Sequence, residues 1–334
     1  MDTRLHNDDA VATGNVSTGR LPEAERVMRA IDEAHARFRA VDDGNVYDYI
    51  PALARVPASL FGLCVASVHG GVHAAGDCDH AFSIQSVSKP FVFALVCQAL
   101  GGQSVRLRVG VNATGLPFNS VMAIELNPDR TMNPMVNAGA IATTSLTPGA
   151  TPEAKWRFIQ AGLSRFAGRD LALDREVYES ESAANQRNQG IARLLDAYGR
   201  MYCDPAAAVD LYTRQCALTV TCRDLAVMGA TLADGGVNPV TGERVLDADR
   251  CKRVLAVMAT SGLYEQSGDW LYEVGLPGKS GVGGGIVTVS PGKGGLATFS
   301  PPLDAAGNSV RGQLATKFLS QALGLNLFAS RPVA

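Results

Sequence analysis

The residues best placed to do chemistry are Ser86 and Lys89, three positions apart in the stretch 82–91 (Phe-Ser-Ile-Gln-Ser-Val-Ser-Lys-Pro-Phe). A serine hydroxyl is nearly inert at neutral pH, so an enzyme that attacks with it must supply a group that takes its proton. Lysine can be that group if burial or a cationic neighbour lowers its pKa. The spacing therefore indicates a serine nucleophile that carries its own base.

An apolar helix has to hold this pair. Residues 91–100 are almost entirely apolar, which is typical of a buried helix, and the glycine pair 101–102 ends it. Pro90 lacks an N–H and its ring clashes inside a helix, so it must lie in the first turn. Ser86 and Lys89 are then predicted on one face at the helix N-terminus, where unpaired N–H groups favour negative charge. An ordinary helix cap is the alternative interpretation of Ser86.

A second Ser-x-x-Lys pattern, Ser290 to Lys293, has a different interpretation. The Pro-Gly dipeptide 291–292 is turn chemistry between two strand-like runs, 285–289 and 295–299. This copy is therefore predicted to be a hairpin loop.

The segment Lys279-Ser280-Gly281 supports the first pair. It precedes a β-like run and matches the Lys-Thr-Gly type of motif that accompanies Ser-x-x-Lys in serine β-lactamases and penicillin-binding proteins. A phosphate-binding loop is the competing interpretation. It fails because that pattern needs a glycine where Glu273 stands and a helix where glycine and strand follow.

Length and charge bound the protein's class. The chain has 334 residues and a formal net charge of −2, which gives no sign of a nucleic-acid or anionic-membrane surface. No run of about 18 apolar residues is present, so no membrane span is expected. Residues 1–20 are polar and are predicted to be a disordered tail. The remainder, 21–328, is predicted to be a single two-lobed domain.

Periodicity places strands near both ends of the chain. We expect helices at 22–40, 91–100, 151–166, 183–198, 206–218, 223–232, 247–260 and 309–323, strands at 60–68, 72–76, 285–289 and 295–299, and a long irregular region at about 105–145. The simplest solution is an α+β fold in which one antiparallel sheet draws on both ends and is covered by the first and last helices. The sheet lobe would comprise about 21–85 and 265–328, and the helical lobe about 86–264.

The seven cysteines are odd in number, scattered and mostly in apolar contexts, so reduced thiols in a cytoplasmic protein are expected. Residues 1–20 lack the apolar core of a signal peptide and are uninformative as an address. His69 and His73 raise the question of a zinc site, but Gly70-Gly71 between them favours a polar hairpin turn.

Four segments together resemble the serine-dependent glutaminase family: 82–90 (Phe-Ser-Ile-Gln-Ser-Val-Ser-Lys-Pro), 133–140 (Asn-Pro-Met-Val-Asn-Ala-Gly-Ala), 178–188 with its Tyr-Glu-Ser-Glu-Ser and Arg-Asn pieces, and 278–285 (Gly-Lys-Ser-Gly-Val-Gly-Gly-Gly). The resemblance runs from about Asp48 to the closing helix. It implies a β-lactamase-like fold and hydrolysis of L-glutamine to L-glutamate and ammonia, without metal or organic cofactor. It also implies a homo-oligomer, a dimer or a tetramer.

The resemblance assigns roles to individual residues. It makes Ser86 the nucleophile and Lys89 its base, and it places the oxyanion between the backbone N–H groups of Ser86 and Val282. Glu181 resembles the residue that pairs with the substrate's α-ammonium. The other matches are neutral hydrogen-bonding side chains: Tyr49, Asn137, Asn188, Tyr212 and Tyr264. Of these, Tyr264 is the better candidate to relay a proton near Ser86 and Lys89.

Two further classes of protein stay open. A β-lactamase or penicillin-interacting hydrolase would share the fold and the Ser/Lys pair, but would normally be exported. A non-enzymatic binding module would be expected to lose Ser86 or Lys89, and both are present.

Overall fold

The computed structural model describes residues 19–130 and 132–329, so nearly all of the predicted N-terminal tail lies outside the described residues. The α-helices in this part of the chain are α1 (Ala24–Phe38), α2 (Ser88–Leu100), α3 (Gly102–Val109), α4 (Met122–Glu125), α5 (Asn137–Ser145), α6 (Pro152–Ala167), α7 (Arg175–Ala184), α8 (Gln186–Ala197), α9 (Pro205–Cys216), α10 (Cys222–Ala233), α11 (Ala248–Ser261), α12 (Ser267–Glu273) and α13 (Val310–Ala322). The strands are β1 (Gly62–Ser67), β2 (Val72–Gly76), β3 (Phe82–Ser83), β4 (Thr219–Val220), β5 (Gly278–Ser280), β6 (Gly285–Ser290) and β7 (Gly294–Phe299). Single 3₁₀ turns occupy Leu53–Arg55, Gln85–Val87 and Tyr264–Gln266.

The main sheet joins the two ends of the chain. Its five strands are antiparallel in the order β2-β1-β7-β6-β5, and β1 pairs with β7 in a register that sets Gly62 opposite Phe299. This confirms the predicted α+β fold with one antiparallel sheet drawn from both ends. The turn at 291–293 connects β6 to β7, so the second Ser-x-x-Lys pattern is the predicted hairpin loop.

Side chains alternate between the two faces of the sheet, as the period of a strand requires. Along β1, Leu63 and Val65 pack into the apolar cluster that α1 and α13 cover. Cys64 and Ala66 belong to the larger cluster on the opposite face, where α10 packs on β1, β6 and β7. A Cβ at Gly295 would lie 2.2 Å from the Ala226 carbonyl oxygen, so this glycine is what lets α10 approach the sheet.

A central helix, α2, organises the helical part of the molecule. Its residues 88–97 are all buried, because α5, α6 and α11 surround it, as the apolar sequence predicts. No helix in the described part of the chain combines the length and apolar character needed to cross a membrane.

Parts of the helix prediction were wrong. The region 105–145 contains α4, α5 and most of α3 instead of a continuous irregular segment; the prolines that suggested a loop lie between these helices. The predicted helix 183–198 corresponds to α8, except that its first two residues are the end of α7. Helix α7 was missed because only Val177 and Glu181 of its ten residues are buried, so it lacks an apolar period. Its N-terminus is set by Asp174, whose carboxylate accepts from Val177 N.

Candidate active site

Ser86 lies in the 3₁₀ turn 85–87, between β3 and the first turn of α2. Its side chain is buried, with 7% of the residue exposed. The preceding residue, Gln85, has a φ of +49°, a left-handed conformation that is uncommon outside glycine. Such strained backbone tends to be kept where it positions a functional group, and here it sets the direction of Ser86.

Lys89 is buried in the first turn of α2, as the sequence predicts. Its Nζ donates to Asn137 Oδ1 at 2.8 Å and to the Met135 carbonyl at 3.3 Å. Burial lowers the pKa of Lys89 to about 7, because an ammonium loses its hydration there. Among the described residues no direct hydrogen bond joins Lys89 to Ser86; both partners of its Nζ belong to the 135–137 segment.

The segment 279–283 runs directly against the nucleophile. A Cβ on Gly281 would lie 3.2 Å from Ser86 N, and a Cβ on Gly283 would lie 2.7 Å from the Ser83 carbonyl oxygen. Side chains at these positions would push the two segments apart, so the glycines allow the close approach. The Val282 N–H has no hydrogen-bond partner among the described residues.

Tyr264 lies behind Ser86 in a second strained turn, with a φ of +57°. Its hydroxyl donates to the Ser280 carbonyl at 3.3 Å. Burial raises the pKa of Tyr264 to about 12, although interactions with Ser86 and Ser280 oppose the shift. The phenol therefore carries its proton at neutral pH.

A buried polar cluster supports Tyr264. The Lys279 Nζ lies 4.0 Å from the centre of the Tyr264 ring and donates to the Ser280 carbonyl at 2.6 Å. The Ser280 hydroxyl donates to Asn308 Oδ1 at 2.5 Å, and Asn308 Nδ2 donates to Gln266 Oε1 at 2.8 Å. Asn308 thus connects β5 to the turn that contains Tyr264.

One cavity, of about 270 Å³, opens onto Ser86. It is lined by Tyr47, Tyr49, Ile50, Gln85, Ser86, Phe118, Asn119, Asn137, Glu181, Ala184, Asn185, Arg187, Asn188, Tyr212 and Val282. Seven of the nine residues predicted from the sequence are in this set. Lys89 and Tyr264 lie just behind the wall, where they contact Asn137 and Ser280.

Glu181 is the buried carboxylate of the cavity. Burial raises its pKa to about 7, while a hydrogen bond from Gln85 and the charge of Lys89 oppose this rise. Gln85 Nε2 donates to Glu181 Oε2 at 3.3 Å. An unpaired carboxylate in such a place is costly, so Glu181 is suited to receive a cationic group.

Neutral hydrogen-bonding groups cluster around Asn137. The Asn137 amide donates to Asn188 Oδ1 at 3.0 Å, and Tyr212 OH donates to Asn137 Oδ1 at 3.3 Å. Tyr49, in contrast, is 55% exposed and donates its hydroxyl proton to the Ala184 carbonyl at 2.7 Å.

Sequence reasoning missed several lining residues, Gln85 and Tyr47 among them. Gln85 stands next to the nucleophile, but its positive φ and its contact with Glu181 depend on tertiary structure. Tyr47 stands two residues before Tyr49, and that proximity is the only sequence signal for it.

The described residues contain no group of three or more His, Cys, Asp or Glu side chains arranged to hold a metal ion. His69 lies in the turn between β1 and β2, and His73 lies in β2. Gly70, in the same turn, has a left-handed conformation with a φ of +88°. All seven cysteines are free thiols, and six of them are buried.

Several known proteins resemble this chain over most of its length. The family model described as Glutaminase matches residues 44–328. Glutaminase 2 of Yersinia pestis is 63% identical over 317 residues, which cover 95% of this chain and 93% of the relative. The solved structure of the probable glutaminase ybaS has a TM-score of 0.91 at 47% identity and covers 92% of this chain and 100% of its own. A solved probable glutaminase from Bacillus subtilis has a TM-score of 0.81 at 30% identity, covering 95% and 100%.

The family model covers most of the chain, and the fold agrees with solved members over their full length. The chain therefore belongs to the glutaminase family of enzymes.

Proposed function

We propose that this enzyme hydrolyses L-glutamine to L-glutamate and ammonia through a glutamyl ester on Ser86, with Lys89 as general base. The observation that carries the proposal is the composition of one cavity. It brings a buried serine, a buried carboxylate and several neutral amides and phenols together, and a buried lysine of lowered pKa lies directly behind them.

The first step forms the ester. Ser86 Oγ bonds to the side-chain amide carbon while Lys89 takes the hydroxyl proton, and the carbon–nitrogen bond then breaks. The departing nitrogen receives a proton and leaves as ammonia. Lys89 contacts Asn137 in the free enzyme; catalytic hydrogen bonds are often made only once substrate is bound.

The second step consumes water. A water molecule loses a proton to the neutral base and attacks the ester carbon, Ser86 Oγ regains a proton, and L-glutamate is released. Tyr264 is protonated at neutral pH because its pKa is about 12. We assign it the relay of a proton between Ser86, Lys89 and the departing nitrogen.

Both steps place negative charge on the former amide oxygen. The unpaired N–H of Val282 supports a role as one donor to that oxygen, with the N–H of Ser86 as the other. Removal of one such donor typically costs about 10²- to 10³-fold in turnover.

The amino-acid end of the substrate is a zwitterion. We assign the α-ammonium to Glu181. The hydrogen bonds to the rest of this end are assigned to Asn137, Asn188 and Tyr212, and to Tyr49, whose hydroxyl must first leave the Ala184 carbonyl. A ligand in a relative gives chemical support: the Bacillus subtilis structure is complexed with 6-diazo-5-oxo-L-norleucine. The ketone of this amino acid stands where glutamine has its side-chain amide carbonyl.

Turnover tests the proposal. Ammonia release from L-glutamine is measured for the wild type, Ser86→Ala and Lys89→Ala, with circular dichroism to verify folding. The wild type should turn over glutamine, and both folded variants should lose activity by about 10³-fold or more. Full activity in folded Ser86→Ala would contradict the mechanism.

The same assay separates the alternative activity. Hydrolysis of a chromogenic β-lactam is followed in parallel with ammonia release. A glutaminase should leave the β-lactam intact; turnover of the β-lactam without glutamine would support the β-lactamase-like hydrolase. A homo-oligomeric state and a cytoplasmic location stay predictions, and light scattering tests the first.

A further inference from the structure

Tyr47 offers an unused hydrogen-bond donor inside the active-site cavity. It lines the cavity and packs, half-buried, against the apolar cluster that contains Ile50, Leu53 and Val282. Its hydroxyl makes no hydrogen bond to another described residue, and it is not one of the fully buried unpaired atoms, so it faces the open space of the cavity. A phenol whose ring packs against apolar residues, and whose hydroxyl makes no hydrogen bond within the protein, is suited to donate to a ligand.

The neighbouring tyrosine is in the opposite situation. Tyr49 donates its only hydroxyl proton to the Ala184 carbonyl, so it can offer a ligand only lone pairs while that bond lasts. The two rings lie 6.3 Å apart, centre to centre. Of these two neighbouring phenols, Tyr47 is therefore the one with a proton free to donate.

Tyr47 keeps that proton under ordinary conditions. Burial raises the pKa of Tyr47 to about 12, and the negative charge of Glu181 adds to the shift. Tyr47 and Glu181 also line the same cavity.

The chemistry of an amino acid then indicates what Tyr47 contacts. The α-ammonium and the α-carboxylate are bonded to the same carbon, so a substrate that pairs its ammonium with Glu181 must hold its carboxylate close by. The only cation among the cavity-lining residues is Arg187, which is exposed and donates through Nε to the Asn119 carbonyl at 2.9 Å. The remaining N–H groups of this exposed guanidinium stay available to the carboxylate, and every other side-chain donor on the lining is neutral.

We infer that Tyr47 is a specificity residue that donates its phenol proton to the α-carboxylate of the substrate. The inference rests on the proposed glutaminase reaction at this site and adds a contact that selects amino acids with a free α-carboxylate.

The test removes one interacting group from each partner. Tyr47→Phe deletes only the hydroxyl, and 4-aminobutanamide is glutamine without its α-carboxylate. With L-glutamine, Tyr47→Phe should lower kcat/KM about 10- to 100-fold, as expected for a hydrogen bond to a charged group. Most of the loss should be a higher KM, with kcat within about threefold of the wild type. With 4-aminobutanamide, the two enzymes should have equal kcat/KM, read from ammonia release at low substrate.

A matched control is Tyr272→Phe, since Tyr272 is 87% exposed on α12. It should match the wild type with both substrates. Thermal melting of all three proteins shows whether the substitutions leave the fold intact.

Two results would overturn the inference. One is wild-type KM for L-glutamine in Tyr47→Phe. The other is an equal loss of kcat/KM with both substrates, which would give Tyr47 a structural role. If the wild type turns over 4-aminobutanamide too slowly to measure, competitive inhibition by L-glutamate replaces that assay. The inhibition constant of L-glutamate should then rise about tenfold in Tyr47→Phe. An unchanged inhibition constant refutes the contact. Failure of the reaction itself is distinct, because the wild type would then release no ammonia from glutamine.

Discussion

Two buried ionisable groups reach the same pKa from opposite directions. The pKa of Lys89 falls to about 7 and the pKa of Glu181 rises to about 7, and burial is the main cause of both shifts. Burial disfavours whichever form is charged. The proposed reaction needs the neutral form of Lys89, to accept a proton, and the charged form of Glu181, to bind the α-ammonium. Burial therefore favours the neutral Lys89 that the reaction requires, but it disfavours the charged Glu181 that substrate binding requires.

The pH dependence of kcat/KM follows from these two requirements. Lowering the pH protonates Lys89 and Glu181 over the same pH range. The first protonation removes the general base, and the second removes the carboxylate that binds the α-ammonium. We expect kcat/KM for glutamine to level off above about pH 7 and to fall below it, with the logarithmic slope approaching two because two protons are involved. Initial rates between pH 5 and 8.5 in buffers of constant ionic strength measure this. A profile that is flat across the range, or that rises toward acid, would contradict the assignment.

At the scale of elements, a glycine-rich segment holds the proposed oxyanion donor against the nucleophile. The contact depends on the absence of side chains, since a Cβ at Gly283 would lie 2.7 Å from the Ser83 carbonyl oxygen. Both atoms are fixed to the backbone, so neither can relieve the clash by adopting another rotamer, as a side chain could.

Gly283→Ala should therefore displace the Val282 N–H from the reacting atoms. We expect kcat to fall about 10²-fold, because small misplacements at the reaction centre have effects of this size. The control is Gly190→Ala in α8, where an added Cβ meets nothing within 4 Å. The control should keep full kcat and gain roughly 0.5 to 1 kcal/mol in unfolding free energy. If Gly283→Ala kept wild-type kcat, the close approach would have no catalytic importance.

Elements with a strong apolar pattern were predictable, and those with a polar pattern were not. Helix α2 could be placed because its residues are apolar and glycine ends it. Helix α7 could not, because it presents only two buried residues, although one of them is Glu181. The positive φ of Gln85 and Tyr264 also left no trace in the sequence, because tertiary contacts impose it. Ser86 and Lys89 followed from their own spacing, and the other site residues from the resemblance to the family's motifs. The hydrogen bond that occupies Tyr49 required the structure.

At the scale of the whole molecule, Arg311 connects distant parts of the chain. It is 3% exposed, and its guanidinium donates to Ser300 Oγ at 2.8 Å and to the carbonyl oxygens of Arg39, Ala58, Ser59 and Leu60. One side chain of α13 thus satisfies the end of α1 and the loop that enters β1. Ser300 directly follows β7, so the same side chain also contacts the end of a strand in the main sheet.

Arg311→Ala should destabilise the fold by roughly 2 to 4 kcal/mol, because several buried carbonyls would lose their donor together. Urea denaturation followed by circular dichroism measures the loss. The comparison variant is Arg29→Ala, which removes an exposed ion pair to Glu25 at 3.8 Å and should cost less than about 1 kcal/mol. Equal effects of the two substitutions would show that the Arg311 contacts do not hold the ends together.

The most direct test of the account is to look for the covalent intermediate. Wild-type enzyme is mixed with excess L-glutamine, quenched in acid within the first turnovers, digested and mapped by mass spectrometry. We expect a glutamyl ester on the peptide that contains Ser86, and none in Ser86→Ala. Added hydroxylamine should capture the same intermediate as γ-glutamyl hydroxamate. An ester mapped to a different side chain, or steady turnover by folded Ser86→Ala, would contradict it.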